Sequence, residues 1–462
     1  MVKALLANHP ALRSITQEQL DRIERGAWYH SLELPDGRVV PGTISVEALR
    51  ARMDAFGLPH DLAGKRVLDV GAATGWCSFE MERRGAEVVA VDCVEYDDFR
   101  VAHRILGSKV DYKLLDVDEL TPQSLGTFDI VIFFGVLYHL RHPLLGLERI
   151  LALARDTVLV ESVICDAQLS ESERNANGCY MEFYETDELG GQIDNWVSPT
   201  LNCLLAFCRA AGFVRVEFKY IQHNRAGVLC RRMWEEAPLA PAERPPVLAS
   251  AVNNRTGDNV FHPGKDEYIC LYFRAALPEL RKEDLRVEID GMGVPVLTLS
   301  RHGGEQWQAN LRAPYGLENG PHSIRLRLAV SDFSESLTIF CGERPREDAA
   351  SPLPGDVAPE LYRISNGLSE QREFFGHRSE YLCCCFRLSG RRPDREEIVI
   401  EVGGYKLTPT FVGSAEYWGP GEGWQANVKL PAELKPGIYE VRVRTRSGPV
   451  SNAMDIRVSA NE

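Results

Sequence analysis

An aspartate followed by two glycines at fixed spacing is the part of this sequence best suited to chemistry. Residues Asp69–Gly75 read Asp-x-Gly-x-x-x-Gly and stand between the apolar pair Val67-Leu68 and Trp76. This pattern predicts a buried strand, a tight loop and a helix, with a backbone that can approach a ligand closely because glycine has no Cβ. The alternative interpretation is an ordinary strand-to-helix turn without a ligand.

The position of the acidic residue indicates which ligand the loop suits. A nicotinamide-binding loop reads Gly-x-Gly-x-x-Gly, whereas here Asp69 precedes the first glycine, Gly71. A carboxylate at the strand end repels a pyrophosphate but attracts a ligand that carries an ammonium group. S-adenosylmethionine (SAM) is such a ligand, so the loop favours SAM over a dinucleotide.

Later strand ends carry residues of the same kind. Asp92 closes the second predicted strand and lies 23 positions after Asp69, close to the spacing at which an acidic residue reaches ribose hydroxyls. Asp116 follows the third strand, where it could accept from an adenine amino group, and Gly135 follows the fourth. Each aspartate alone would be interpreted as a helix cap or a solvated strand end. Because parallel strands end at one edge of a sheet, the set predicts one nucleoside-binding rim.

Candidate catalytic residues follow the fourth and fifth predicted strands. Methyl transfer from a sulfonium is a displacement in which charge is lost, so orientation and desolvation can supply much of the catalysis, with a general base where the acceptor must lose a proton. His139 is expected nearest the donor methyl, Tyr138 could shape the methyl pocket, and Glu182 is a base or substrate-binding candidate. For all three, simple packing is the alternative role. Further candidates with the same two interpretations are His30, His142 and Glu161.

Together these segments resemble a known superfamily. The loop Asp69–Gly75, the stretch Trp28–Leu34 and the motif Gly135-Val-Leu-Tyr-His-x-x-x-Pro143 are similar to those of class I SAM-dependent methyltransferases, in particular relatives of the tRNA wobble-uridine carboxymethyltransferase. The resemblance covers roughly residues 25 to 235, about half of the chain. It implies a Rossmann-like doubly wound α/β domain, SAM as cofactor and Tyr138 beside the transferable group. The cofactor-binding residues that we expect are Asp69, Gly71, Ala72, Gly75, Asp92, Asp116 and Gly135.

Two departures from the family pattern bear on the methyl donor. Ala73 replaces the central glycine of the loop, which keeps a small side chain but narrows the approach. The Lys-Gly-Pro-Phe element and the tryptophan-rich stretch that the tRNA enzyme carries before its first strand are not evident, and Pro41-Gly42-Thr43-Ile44 stands there instead. We therefore expect plain SAM rather than carboxy-SAM.

Composition narrows the classes of partner and compartment. The chain has 462 residues, 44% hydrophobic and 26% charged, as expected of a soluble globular protein with several domains. A net charge of −14 argues against broad binding to nucleic acid or anionic membranes, although a local basic patch is compatible with that total. No apolar run is long enough to span a membrane, and Met1–Pro10 lacks a signal-peptide pattern. Twelve cysteines without Cys-x-x-Cys spacing predict reduced thiols in a cytoplasmic protein, without a metal site.

The order of predicted elements divides the first half of the chain. Alternating strands and helices over residues 61–236 predict a parallel sheet with helices on both faces, after an N-terminal helical cap at 1–60. An insertion at 165–195, rich in aromatic, carboxylate and amide side chains, is expected to form a substrate lid. By resemblance, a final antiparallel strand near Trp234 lies at the sheet edge. The proline-rich segment 235–246 predicts a stiff linker.

The second half of the chain contains a duplication. Tyr268–Gly291 aligns with Tyr381–Gly404 at an offset of 113, and Trp307-Gln-Ala-Asn310 recurs as Trp424-Gln-Ala-Asn427 at an offset of 117. Alternating β-type segments with Gly/Pro/Asn turns predict an immunoglobulin-like β-sandwich in each copy. The two tryptophans are interpreted as sandwich core rather than as sugar-stacking platforms. The predicted boundaries of the two sandwiches are 247–342 and 358–460.

Three functions are compatible with this pattern. The leading hypothesis is a SAM-dependent methyltransferase that acts on a small polar or carbohydrate-type acceptor. The tandem sandwiches would then mediate oligomerisation or partner binding, including binding of glycans. The alternatives are a tRNA wobble-uridine (carboxy)methyltransferase and a SAM-binding scaffold without catalysis.

Overall fold

A computed structural model describes residues 16–24, 28–34, 37–170, 178–255, 257–262, 267–342, 357–367, 371–375, 380–389, 393–415, 423–446 and 448–459. The chain forms two compact units, one comprising residues 1–235 and the other most of 236–462, with the short segments 291–295 and 314–316 grouped with the first. The expectation for Met1–Pro10 lies outside the described residues.

A seven-stranded sheet forms the centre of the first unit. Its strands are β5 (Arg66–Val70), β6 (Glu87–Asp92), β7 (Asp111–Leu114), β8 (Phe128–Phe134), β9 (Ala154–Val163), β12 (Arg215–Gln222) and β13 (Arg225–Arg231). Their order is β12-β13-β9-β8-β5-β6-β7. The strands from β9 to β7 are parallel, whereas β13 is antiparallel to both of its neighbours. The predicted parallel α/β sheet is confirmed.

Two hydrophobic clusters pack against the opposite faces of this sheet. Val67 belongs to one cluster and the next residue, Leu68, to the other, because successive side chains of a strand point to opposite faces. The helices of the described residues are α1 (Gln17–Glu24), α2 (Val46–Asp54), α3 (Trp76–Arg83), α4 (Asp97–Leu106), α5 (Pro122–Leu125), α6 (Pro143–Leu153) and α7 (Leu201–Ala211). One cluster includes α2, α3 and α4 and the other includes α6 and α7, so the domain is doubly wound.

The expected edge position of the last strand was wrong. β13 lies between β9 and β12, so β12 forms the edge of the sheet. Burial explains the arrangement. The five residues Ala226–Cys230 of β13 are all buried, as a strand covered on both faces requires. β12 instead carries Glu217 and Lys219, and charged side chains of this kind are tolerated at a solvated edge.

The described residues of the segment 1–60, which was expected as a helical cap, are only partly helical. α1 begins with a capping box in which Gln19 N donates to Thr16 Oγ1 and Thr16 N donates to Gln19 Oε1. Between α1 and α2 the chain forms short strands instead, where β-branched residues such as Val39, Val40 and Ile44 favour extended backbone. These strands are β1 (Trp28–His30), β2 (Leu32–Glu33), β3 (Val39–Val40) and β4 (Gly42–Ile44).

The lid insertion contributes a small antiparallel pair. β10 (Met181–Phe183) pairs with β11 (Val197–Pro199), which directly follows the predicted insertion at 165–195. Residues 171–177 of the insertion lie outside the described part of the chain. In the described residues, no helix is both long and apolar enough to cross a membrane.

Both C-terminal repeats consist of β-sheet with the same strand order. The strands of the first repeat are β14 (Val247–Asn253), β15 (Val260–Phe261), β16 (Tyr268–Arg274), β17 (Leu285–Ile289), β18 (Met292–Val294), β19 (Val296–Gly303), β20 (Gln306–Arg312), β21 (Gly320–Leu328) and β22 (Leu337–Cys341). Those of the second are β23 (Glu360–Asn366), β24 (Glu373–Phe375), β25 (Tyr381–Arg387), β26 (Ile398–Val402), β27 (Tyr405–Leu407), β28 (Phe411–Ser414), β29 (Trp424–Lys429), β30 (Gly437–Thr445) and β31 (Met454–Ser459). The first repeat has a four-stranded sheet, β14-β16-β20-β19, and a five-stranded sheet, β15-β22-β21-β17-β18. The second has β23-β25-β29-β28 and β24-β31-β30-β26-β27, which match the first strand for strand.

Replacement of Gly75 by alanine should destabilise the first unit strongly. Gly75 has φ 87°, and a Cβ there would lie 2.5 Å from Phe79 Cε2 and 2.7 Å from Phe99 Cδ2. Left-handed strain and overpacking together should cost about 2–4 kcal/mol in the free energy of unfolding, measured by denaturant titration.

Gly107→Ala is the matched control for this substitution. Gly107 ends α4 with φ 59°, and nothing lies within 4 Å of a Cβ placed there. It should therefore show the strain alone, about 1–2 kcal/mol. Equal losses in the two variants would contradict the packing role of Gly75.

Candidate functional site

The loop between β5 and α3 has left-handed backbone at three residues. Gly71, Ala73 and Gly75 have φ values of 73°, 48° and 87°. Gly71 N and Ala72 N both donate to Val91 O, at 2.9 and 3.2 Å, and so attach the loop to β6. Ala73 is the strained position, because a left-handed conformation costs a non-glycine residue roughly 1–2 kcal/mol. The family pattern has glycine at this position.

The predicted cofactor glycines differ in their surroundings. A Cβ at Gly71 would lie 2.3 Å from Val136 Cγ2, and one at Gly135 would lie 3.3 Å from Tyr138 Oη. Both glycines follow neighbouring parallel strands, β5 and β8, and therefore belong to one rim. Gly75 faces the aromatic core under α3 and α4 instead, so helix packing explains it better than ligand approach.

The two rim aspartates already hold backbone groups. Asp92 Oδ2 accepts from Ala73 N at 2.9 Å and Oδ1 accepts from Val94 N at 3.0 Å, which anchors the strained loop to the end of β6. Asp116 caps the 3-10 turn Val117–Glu119, as the simpler interpretation of an isolated aspartate proposed. Each carboxylate oxygen has a further lone pair, so the expected ribose and adenine contacts stay compatible with this geometry.

Asp69 is buried rather than open to the rim. Its side chain is 3% exposed, and Ser78 Oγ donates to Oδ2 at 2.6 Å. Burial raises the pKa of the Asp69 carboxyl to about 6; the Ser78 hydrogen bond opposes this rise and the negative charge of Asp92 adds to it. An ammonium group placed nearby would stabilise the ionised form.

A connected polar network lies beside Gly135. Glu161 near the end of β9 is buried and accepts from Tyr220 Oη at 2.8 Å and from Arg225 Nη1 at 2.9 Å. Arg225 Nη2 donates to Tyr138 Oη at 2.9 Å. Burial raises the pKa of the Tyr138 hydroxyl, against the opposing effect of Arg225, so the phenol stays neutral and keeps a proton to donate. We call Glu161, Arg225, Tyr138 and Tyr220 the Glu161 network.

The N-terminal segment adds a cation and an imidazole to this network. Arg52 Nη1 of α2 lies 3.7 Å from Glu161 Oε2. His30 of β1 has its Nδ1 2.8 Å from Thr74 Oγ1 of the loop. Burial, with the positive charges of Arg52 and Arg225, lowers the pKa of His30 to about 4. The imidazole is therefore neutral near pH 7.

Sequence reasoning identified Tyr138, Glu161 and His30 as candidates but missed both arginines. Arg225 had a usable signal: it opens the last strand, and an antiparallel strand starts at the edge where the parallel strands end. Its direction therefore places Arg225 at the rim. Arg52 had no such signal, because its position depends on how α2 packs.

His139 faces the lid. Its Nδ1 lies 3.2 Å from Asp194 O and 3.4 Å from Asp194 Oδ2. Trp196 N donates to Tyr138 O at 2.8 Å, and the Arg141 guanidinium lies over the Trp196 ring at 4.4 Å. The end of the lid is thus attached to the turn that carries Tyr138 and His139.

Two further candidates have contacts elsewhere. Glu182 is exposed on β10 and accepts from Tyr184 Oη at 3.0 Å within the lid. His142 is exposed at the N-cap of α6, without a side-chain capping bond. The hydrogen bond of Glu182 lies outside the Glu161 network. The catalytic roles expected for His139, Tyr138 and Glu182 stay predictions.

The buried carboxyl of Asp69 should make stability depend on pH. A carboxyl whose pKa is raised in the fold is disfavoured as an ion, so its contribution to stability is lost as pH rises from about 4 to about 6. Asp69→Asn removes that loss. The ligand-free variant should gain about 2 kcal/mol relative to the wild type across this pH range and hold that gain above it, as measured by denaturant unfolding from pH 4 to 8.

Asp111→Asn is the control for this pH profile, because Asp111 is exposed at the start of β7. Its stability difference from the wild type should stay nearly constant over the same range. A flat profile for Asp69→Asn, or a gain that shrinks with rising pH, would contradict the burial of an ionisable carboxyl at this position.

Comparisons with known proteins identify similar methyltransferases. A family model described as a methyltransferase domain matches residues 43–201. The tRNA U34 carboxymethyltransferase of Pseudomonas fluorescens strain SBW25 is 31% identical over 160 residues, 34% of this chain and 48% of that protein. The ubiquinone biosynthesis O-methyltransferase of Dechloromonas aromatica is 40% identical over 94 residues, 20% of this chain and 40% of that protein. The chain thus spans about half the length of such relatives or less.

A solved structure with a similar fold is the N-terminal domain of EvdMO1, determined in the presence of SAH and D-fucose. It is 21% identical, covers 46% of this chain and 96% of its own, and has a TM-score of 0.35. On the evidence of the family match and the sheet order, residues 43–201 form a methyltransferase domain within a doubly wound α/β unit.

Proposed function

We propose that the chain transfers a methyl group from SAM to a small polar acceptor of the carbohydrate type. The observation that supports this most is the Glu161 network beside Gly135, with Arg52 and His30 next to it. An apolar acceptor would desolvate these groups without giving them hydrogen bonds, which costs free energy. Acceptor hydroxyls would give them partners instead.

The rim has the features that SAM requires. A Cβ at Gly71 would meet Val136, and one at Gly135 would crowd the Tyr138 hydroxyl, so both positions of the rim favour glycine. In the proposed arrangement the methionine part lies along Gly71, the ribose at Asp92 and the adenine at Asp116. SAM, when bound, supplies a methyl group on a positively charged sulfonium.

The chain's own residues would then orient the acceptor and exclude water. Tyr138 has a neutral hydroxyl held by Arg225, so it can bind an acceptor oxygen in one orientation. His30 adds a hydrogen-bonding ring that carries no charge near pH 7. The lid, attached through Trp196 N to Tyr138 O, would close the site from solvent.

Loss of the Arg225 guanidinium should impair transfer more than cofactor binding. Arg225→Met removes its charge-assisted hydrogen bonds to Glu161 and Tyr138, and Tyr138→Phe removes one of them. Each such bond is worth about 1.5–3 kcal/mol, so methyl transfer should fall roughly ten- to hundredfold. The assay follows label from methyl-labelled SAM into a pool of neutral sugars and other small polar compounds, while calorimetry follows SAM affinity.

Arg231→Met is the matched control, because Arg231 pairs with Asp156 at the opposite end of β13. Its transfer activity should stay within about twofold of the wild type. Undiminished transfer by Arg225→Met would contradict the proposed acceptor site. A wild-type protein that binds SAM but labels nothing in the pool would contradict the acceptor class and favour a scaffold role.

Transfer of a carboxymethyl group is a second candidate, because one observation favours it. Arg52 and Arg225 bring two positive charges to the single carboxylate of Glu161, so one more anion could be accommodated. The relative from Pseudomonas fluorescens is named a carboxymethyltransferase acting on tRNA U34. The net charge of −14 argues against tRNA as the acceptor here.

Mass spectrometry of the nucleoside that co-purifies with the protein separates the two donors. SAM or its demethylated product supports methyl transfer, and carboxy-SAM supports the second candidate. A nicotinamide dinucleotide would contradict both.

Asp92→Ala should weaken SAM binding at least tenfold. Asp92 would lose its expected ribose contact and also its hydrogen bond from Ala73 N, which holds the loop. A tenfold loss is about 1.4 kcal/mol and is measured by calorimetry. The control is Asp111→Ala at the start of β7, at the other end of the parallel strands from Asp92, and this variant should bind SAM like the wild type. Unchanged SAM affinity of Asp92→Ala would remove Asp92 from the site.

We infer that both C-terminal repeats are immunoglobulin-like sandwiches. If the strands are lettered in chain order, the sheets read A-B-E-D and A′-G-F-C-C′, with A′ parallel to G in each copy. A tyrosine corner supports this assignment: Tyr439 Oη donates to Lys435 O at 2.8 Å near the start of strand F. The first copy has His322 there, with Nε2 2.7 Å from Glu318 O.

We also infer that the protein works in a reducing compartment such as the cytoplasm. All twelve cysteines are free thiols, and most are buried. Buried thiols that lack disulfide partners behave as small apolar residues and require no oxidising environment.

A further inference from the structure

The outer face of the four-stranded sheet in the first sandwich carries a ladder of uncharged polar groups. Cys270 and Tyr272 of β16 point to this face, and so do Gln308 and Asn310 of β20, because the residues between them are fully buried in the core. Thr298, Ser300 and His302 of β19 are exposed beside them. We call this surface the amide face.

The amide face is retained between the two repeats about as well as the core beneath it. Strands β16 and β20 register with β25 and β29 position for position. Of the eight outward positions in these strands five are identical, and of the six inward positions three are. The identical outward residues of the first copy are Tyr268, Cys270, Arg274, Gln308 and Asn310. Cys270 is buried among its neighbours on this face. The hydrogen bond between the retained glutamine and asparagine recurs in the second copy, where Gln425 Nε2 donates to Asn427 Oδ1 at 2.8 Å. The amide pair therefore has the same geometry in both repeats, and only its surroundings distinguish them.

The side chains of the amide face hold one another in position. His302 Nε2 lies 3.0 Å from Gln308 Oε1, Gln308 Nε2 donates to Asn310 Oδ1 at 2.8 Å, and Asn310 Nδ2 donates to Thr298 Oγ1 at 2.9 Å. Gln308 also hydrogen-bonds the Cys270 thiol. The Asn310 amide has a second hydrogen, and each amide oxygen has a second lone pair. The ladder therefore offers donors and acceptors to a ligand in a row that is already ordered.

The chemistry of the amide face suits a neutral polyol. The two amides lie on the central strand β20, with hydroxyl groups on the flanking strands β16 and β19. The rings of Tyr272 and His302 lie 6.4 Å apart, edge to face, at one side. Formal charge is confined to the strand ends, at Arg274 and Arg312. A phosphate or acidic peptide would favour a charged centre, and a protein surface of this size would favour an apolar one.

The second repeat has the same amide pair but not its surroundings. Cys385 stands at the position of Tyr272, Phe411 at that of Thr298 and Gly413 at that of Ser300. Gly257 of the first repeat also packs against Phe411, so part of this face is covered. The face that is open and rich in hydroxyl groups is therefore that of the first repeat.

We propose that the amide face of the first sandwich is a binding site for a neutral oligosaccharide, separate from the methyl-transfer site. Gln308 and Asn310 would read sugar hydroxyls, with Thr298 and Ser300 adding hydrogen bonds and Tyr272 packing against a ring. The site requires no catalysis, so it stands or fails independently of the proposed function.

The test screens the full-length protein against an array of neutral gluco-, manno-, galacto- and xylo-oligosaccharides, followed by calorimetry on the best ligand. The double variant Gln308→Ala/Asn310→Ala should lose at least tenfold in affinity. Gln308→Glu/Asn310→Asp keeps shape but replaces the amide donors with acceptors, and should lose at least fivefold. A thermal unfolding profile like that of the wild type shows that the variants are folded.

Gln425→Ala/Asn427→Ala in the second repeat is the matched control and should change affinity less than twofold. The proposal is overturned by three outcomes: no array member binding at millimolar concentration, both double alanine variants losing affinity equally, or binding unaffected by the first. Self-association measured by sedimentation that only the first variant abolishes, without sugar binding, would assign the face to a second copy of the chain.

Discussion

The buried carboxylate of Glu161 is the constraint around which the proposed acceptor side of the site is organised. A charge removed from water must be paired and hydrogen-bonded, or it costs several kcal/mol. Here the partners come from separate parts of the fold: Tyr220 from β12, Arg225 from β13 and Arg52 from α2. Removing one partner would leave charge uncompensated, so the last hairpin and the N-terminal segment are held to the same strand end.

The pairing of Glu161 with Arg225 also fixes the position of Tyr138, the residue expected beside the methyl group. Arg225 contacts Glu161 through one terminal nitrogen and Tyr138 through the other, so the guanidinium sets the orientation of the phenol. The lid is attached to the same turn through Trp196 N. The loop after β5, the Glu161 network and the segment that ends at Trp196 therefore meet at the turn after β8.

The rim could be predicted from the sequence because it follows from local rules. A strand ending in Asp-x-Gly-x-x-x-Gly, and aspartates that close the next strands, converge once the strands are parallel. The Glu161 network could not be predicted as a whole, because Arg52 depends on the packing of α2. Asp69 was assigned to the ligand from its spacing, but burial against Ser78 is visible only in three dimensions.

The same distinction holds for the C-terminal half of the chain. The duplication was predictable from the offsets of matching residues, and the matched strand orders confirm it at the level of fold. The interpretation of Trp307 as core was also sound, since that side chain is 5% exposed. Gln308 and Asn310 fit the in-and-out alternation of a strand, so the sequence alone assigns them no role. Their shared position on the outer face is visible only in the structure.

A crystal structure of the protein with S-adenosylhomocysteine tests the central claim most directly. The account predicts the nucleoside along the rim of Gly71, Asp92, Asp116 and Gly135, with the sulfur facing the hydroxyl of Tyr138. A nucleoside bound elsewhere, or turned so that its sulfur points away from Tyr138 and Arg225, would contradict it.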